Sequence, residues 1–176
     1  MADSIEVVEA RKNSDNKDFF KERVKTMPLL IEWASPEIRD DKEIMLSAVT
    51  EDGGALEFAS DRLKDDKDIL IAAVSQAGWT CCYASDRLKD DKDVIITAAR
   101  SDGQVLYYAS EKLRDDKDVV IAAVENKPII IKYASLNLRQ DKEVAKIAVS
   151  KAGKEKQTVI SFLSPELQKD EDILEI

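Results

Sequence analysis

Histidine is absent from this 176-residue chain, and with it the side chain most often used as a base near neutral pH. Cysteine is nearly absent too. The two that exist, Cys81 and Cys82, are adjacent, a spacing that disfavours a bridge between them. That points to a reducing, cytoplasmic compartment, with secretion by a route that needs no cleaved signal left open. Five glycines and four prolines are too few for a turn-rich β fold and favour an all-α one. Cations are outnumbered, 27 Lys and Arg against 36 Asp and Glu, for a net charge of −9. A nucleic-acid binder or an anionic-membrane ligand needs the opposite balance, so neither partner is expected. No apolar run is long enough to cross a bilayer, and the N-terminus lacks the basic-then-apolar order of a secretory signal. There is no Gly-rich phosphate loop and no Gly-x-Ser-x-Gly elbow.

What is present repeats. Asp41, Asp66, Asp91, Asp116 and Asp141 close a short acidic block every 25 residues, and an aromatic-Ala-Ser triplet keeps the same register at Trp33, Phe58, Tyr83, Tyr108 and Tyr133. A period this short cannot be an independent domain. It describes a tandem array in which each copy buries its apolar face on its neighbours. The expected fold is therefore all-α, an α-solenoid-like stack of about six 25-residue repeats, of either hand.

Within a copy, Asp40 precedes Glu43 by three residues, and Asp65/Asp68, Asp90/Asp93 and Asp115/Asp118 repeat the spacing. This resembles a capping box, with the first carboxylate accepting from an orphan amide and the second in the positive first turn. Ile44, Ala48 and Val49 mark the apolar face of a helix of about ten residues. Gly53, Gly78, Gly103 and Gly153, with Pro28 and Pro128 in two copies, are expected to end it, Gly as the left-handed residue after the helix. A short helix through Leu56 and Phe58 follows. Ser60 and its equivalents then cap a one-turn helix whose Leu63, Leu88, Leu113 and Leu138 point inward.

Residues 1–15 read as a lead-in or N-terminal cap and 16–176 as a single repeat domain. Its copies fall at about 16–40, 41–65, 66–90, 91–115, 116–140 and 141–169, with a partial helix at 170–176. Phe19 and Val24 are the expected core residues of the divergent first copy, and the segment from Lys154 to Thr158 holds a four-residue insertion. Ile173, Leu174 and Ile176 either fold back as a cap or belong to an interrupted array.

The pattern LKDDKDVVxxAVxxxGxxLxYASxxLRDDK, seen from Leu63 to Lys117, resembles the tandem repeat catalogued as domain of unknown function 4116. The likeness covers about residues 16–172; Pro128, Gln140 and the insertion depart from it. It implies small α-helical repeats. No activity is assigned to the family, so it transfers no catalytic residue.

The carboxylates follow the repeat register, which suits helix capping better than a calcium loop, and no metal or cofactor is expected. Lys42, Lys67, Lys92 and Lys117, inside the blocks, should form charge ladders between copies. Cys81 sits in the register of Leu56 and Leu106, as a small buried hydrophobe; Cys82 aligns with charged residues and should meet solvent. Specificity should reside where the copies differ. On the short helix the variable pairs are Gly54/Glu57, Trp79/Cys82, Gln104/Tyr107 and Ile129/Lys132. The candidate protein-binding residues are therefore Glu57, Trp79, Cys82, Gln104, Tyr107, Ile129 and Lys132, with Trp79 and Tyr107 as anchors. The expected function is a non-catalytic interaction or scaffold module for a protein or peptide. Its rivals are an acidic decoy, a cation binder, and an enzyme with a site near Trp79 and Cys82.

Overall fold

The first five copies of the computed structural model, which describes residues 4–176, each fold into three short helices, and no strand occurs among the described residues. In the second copy these are an α-helix at Lys42–Glu51, a 3-10 helix at Gly53–Phe58 and a single turn at Asp61–Lys64. The same trio returns at Lys67–Gln76, Gly78–Tyr83 and Asp86–Lys89, and again at Lys92–Ser101, Gly103–Tyr107 and Glu111–Arg114. A further trio lies at Lys117–Asn126, Pro128–Tyr133 and Leu136–Arg139. The first copy has a shortened helix, Lys17–Arg23, preceded by one at Ile5–Lys12. The chain divides into two compact units, up to Leu88 and from Lys89 onward, and within each the long helices of successive copies pack side by side.

The long helices start one residue later than the spacing predicts. Asp41, not Asp40, is the N-cap: its Oδ1 accepts from the amides of Glu43 (3.0 Å) and Ile44 (3.1 Å). Asp66, Asp91, Asp116 and Asp141 do the same in their copies. The first carboxylate of the block has another task. Asp40 follows the preceding one-turn helix and accepts from Ser60 Oγ and from Arg62 Nε (3.0 Å) of the next copy. Asp65 holds Ser85 and Arg87 in the same way, and Ser110 Oγ donates to Asp90 at 2.6 Å. The recurring Ser thus does two things: it caps its own turn, as at Leu63 N (3.2 Å), and ties that turn to the previous copy.

The glycine reading also changes. Gly153 alone among the described residues has a positive φ, at 50°; the other long helices end through an extended residue, such as Asp52 at φ −144°. At Gly53 the constraint is closeness. A β-carbon built there would lie 2.4 Å from the carbonyl oxygen of Ala73 in the next copy, and one on Gly103 would lie 2.5 Å from that of Ala123. These glycines let a 3-10 helix touch the neighbouring backbone. Ala48, Ala73 and Ala123 are fully buried, small side chains on the packed faces of the long helices.

Burial takes one broad face of the long helix in the second copy. Ile44 and Met45 are both buried, with Ala48 and Val49, because a middle copy has neighbours on both sides. That explains a misplacement in the first copy: Phe20, in the register of Met45, is the core residue with Val24, while Phe19 is half-buried and meets Phe20 edge-on at 5.3 Å. Leu63, Leu88, Leu113 and Leu138 point inward as expected. The insertion does not loop out; it turns the short helix into a 3-10 turn, Gly153–Glu155, running into an α-helix, Lys156–Ser161. At the final turn, Glu171–Leu174, Ile173 is buried, whereas Leu174 and Ile176 are exposed.

Candidate protein-binding surface

Three residues per turn is the property of a 3-10 helix that matters here, because residues i and i+3 then share one edge. The variable pairs are spaced by three, so each falls on a single edge of its short helix. The apolar positions between them face inward: Leu56, Cys81, Leu106 and Ile131 are fully buried. In the second and fourth copies the 3-10 helix is itself capped, by Asp52 Oδ1 accepting from Gly54 N (2.8 Å) and Asp102 Oδ1 from Gln104 N (2.9 Å).

In the first unit, Glu57 is exposed, Trp79 is 46% exposed and Cys82 half-buried. Gly54 is not a contact residue but a floor: a β-carbon there would meet the Trp79 ring at 3.8 Å. Trp79 turns its edge to Tyr83, with ring centres 6.0 Å apart. Burial pushes the Tyr83 phenol above its ordinary range, and a hydrogen bond to Glu57, with the nearby Glu57 and Cys82 charges, pushes the same way. The three expected residues of this unit therefore gather around Tyr83.

In the second unit the variable positions converge on a groove of about 450 Å³. Gln104, Tyr107, Ile129 and Lys132 all line it, and Lys127, Ile130 and Glu155 complete its walls together with Tyr108 and Tyr133. Tyr107, 57% exposed, stands nearly perpendicular to both Tyr108 and Tyr133, with centres 5.2 and 5.3 Å away. Lys132 places its ammonium 4.9 Å from the centre of the Tyr133 ring. Three contributors escape a reading based on register. Tyr108 and Tyr133 belong to the aromatic-Ala-Ser triplet, which looks purely structural; the Tyr107-Tyr108 doublet is the signal that one ring must be left outside. Glu155 comes from the insertion.

The acidic blocks lie elsewhere in each copy and form the expected ladders. Lys42 bridges Asp66 (2.7 Å) and Asp68 (2.9 Å), Lys92 bridges Asp116 and Asp118, and Lys117 bridges Asp141 and Glu143. Partial burial raises the Asp116 carboxyl, but hydrogen bonds from Lys92 and the Val119 amide outweigh it and hold the group below the usual carboxylate range. Among the described residues, no three His, Cys, Asp or Glu side chains are grouped to hold a metal ion. No described helix is long and apolar enough to cross a membrane.

The sequence model of one family, described as Domain of unknown function (DUF4116), matches five times in tandem, at residues 16–64, 41–89, 66–114, 91–139 and 116–168. The chain belongs to the DUF4116 family. Each match spans two consecutive copies and begins 25 residues after the one before, so the DUF4116 unit is a pair of neighbours rather than one copy. This agrees with the geometry, since the Ser-Asp tie, the lysine ladder and the Gly53–Ala73 contact all need two copies to exist. The last match is longer and takes in the insertion. Neither a curated protein nor a solved structure matches this DUF4116 chain.

Proposed function

We propose that this DUF4116 array is a non-catalytic binding module that holds a protein or peptide on the outer edges of its short helices. One observation carries the reading: in the second unit Gln104, Tyr107, Ile129 and Lys132, the positions that differ among copies, line a single aromatic groove. Aromatic side chains of this kind concentrate binding energy, and their arrangement is fixed in advance by the buried residues between them. The acidic-decoy and cation-binding alternatives have less support, because the block carboxylates already accept from backbone amides and lysines. An enzyme site around Trp79 and Cys82 has less support, because the chain lacks histidine, the usual activating base beside a catalytic thiol. On the grounds of its sequence we assign the module to the cytoplasm.

The test is a displayed peptide library panned on the intact chain, followed by calorimetric titration of the selected peptides. Tyr107→Ala or Trp79→Ala should weaken binding by about tenfold or more, as expected for an anchor residue. Glu125→Gln, on the exposed side of a long helix, should leave it unchanged. Peptides indifferent to both aromatic changes would refute the proposal.

A further inference from the structure

We infer that the groove around Tyr107 takes an extended, acidic, proline-bearing segment of a partner protein. The inference rests on the binding-module reading above and adds the chemistry of the occupant.

Hydrogen-bonding capacity is the first argument. Lys127 and Lys132 bring donor-only ammonium groups to the lining, Tyr107, Tyr108, Tyr133 and Gln104 can donate or accept, and Glu155 alone is restricted to accepting, so donors are in excess. A matching ligand therefore offers acceptors and few donors. A polyproline II segment does this, because its carbonyls make no internal hydrogen bonds and each proline lacks an N–H.

Charge is the second. Two lysines against one glutamate give the groove a positive balance on a chain whose net charge is −9. Such a local reversal attracts a negatively charged segment and orients it. The equivalent position in the second copy shows the contrast: Glu57, an anion, stands in the register of Lys132. Shape is the third. Tyr107 stands nearly perpendicular to both neighbouring rings and is 57% exposed, so much of its own ring is open to a flat apolar group. Proline rings suit such faces, and the stiffness of the polyproline II conformation limits the entropy lost on binding.

Fluorescence anisotropy on the intact chain tests this with three labelled synthetic peptides: one rich in Glu and Pro, the same peptide with every Pro changed to Ala, and one with every Glu changed to Lys. The first should bind, with an affinity that falls as salt rises. Lys132→Glu and Tyr107→Ala should each weaken it about tenfold, and the other two peptides should bind at least about fivefold more weakly than the first. Lys132 and Tyr107 are exposed, so both variants should keep the wild-type circular dichroism spectrum. Equal binding of the Pro and Ala peptides, or indifference to Lys132→Glu, overturns the inference. If it fails while library-selected peptides of other composition still lose affinity on Tyr107→Ala, the binding-module reading stands without it. If no peptide responds to Tyr107→Ala or to Trp79→Ala, both fall.

Discussion

Changing Gly53 or Gly103 to alanine isolates the contact on which stacking depends. In an unconstrained position this substitution stabilises by about 0.4–1 kcal/mol, because the unfolded chain loses freedom. Here the new methyl would stand 2.4 Å from the Ala73 carbonyl oxygen, or 2.5 Å from that of Ala123. The obstacle is backbone, so no rotamer change relieves it. At Gly103 the Lys127 β-carbon adds a second obstacle at 2.9 Å. Two copies must move apart, an overpacking cost of about 1–3 kcal/mol. The net expectation is a loss of about 1–2 kcal/mol, or roughly 4–8 °C per kcal/mol for a unit of this size. Gly153→Ala is the control, because its β-carbon would meet nothing within 4 Å and the change acts only through its φ of 50°. Urea melts followed by circular dichroism give the magnitude, and hydrogen exchange locates it. Faster exchange should appear in the first unit for Gly53→Ala and in the second for Gly103→Ala. If both variants are neutral or more stable, the copies do not stack through these backbone contacts.

Three further outcomes follow from the caps and ladders. Asp116→Ala removes the acceptor for the Asp118 and Val119 amides and should cost about 1–2 kcal/mol in urea melts, whereas Asp116→Asn keeps a cap oxygen and should cost less; equal losses would mean that charge alone matters. Asp66, Asp116 and Asp141 have lowered folded-state pKa values, so their contribution is complete above the unfolded value of about 3.9 and is lost as pH falls through the folded one. Lys42, Lys92 and Lys117 are raised, so theirs is complete below about 10.4 and is lost as pH rises through the folded value. The melting temperature should therefore be flat from about pH 5 to 9, and a step near neutrality would contradict this assignment. Adding calcium or a chelator should not move the melt, because the block carboxylates are held by amides and lysines; a rise of many degrees with calcium would refute the capping explanation.

Period and residue type were enough to read the three-helix unit, its ten-residue long helix and the inward leucines. Two departures are of one residue and share a cause. Asp40 and Asp41 have the same side chain, so spacing alone cannot say which one caps and which one reaches Ser60 of the next copy. Phe19 and Phe20 are the same problem in an apolar pair. A helix covered on both sides buries adjacent residues, so the usual single-stripe pattern does not choose between them. Gly53 misled for a different reason. A glycine can be required by its own φ or by a neighbour's backbone, and only coordinates show the Ala73 carbonyl beside it.

The candidate surface was legible through a different logic, and its limit has a physical origin. In an array, residues that recur satisfy the contacts every copy must make, so residues that do not recur are free of them. That argument finds Gln104, Tyr107, Ile129 and Lys132, because a 3-10 helix puts i and i+3 on one edge. It misses Tyr108 and Tyr133, which keep the register yet also line the groove. A residue can serve both purposes when its ring packs on one face and its hydroxyl edge reaches solvent, as tyrosine allows and the Phe58 of another copy does not. Substituting Tyr133 by Phe should therefore separate the two roles: stacking against Tyr107 persists, since it needs only the ring, while any ligand contact made by the hydroxyl is lost.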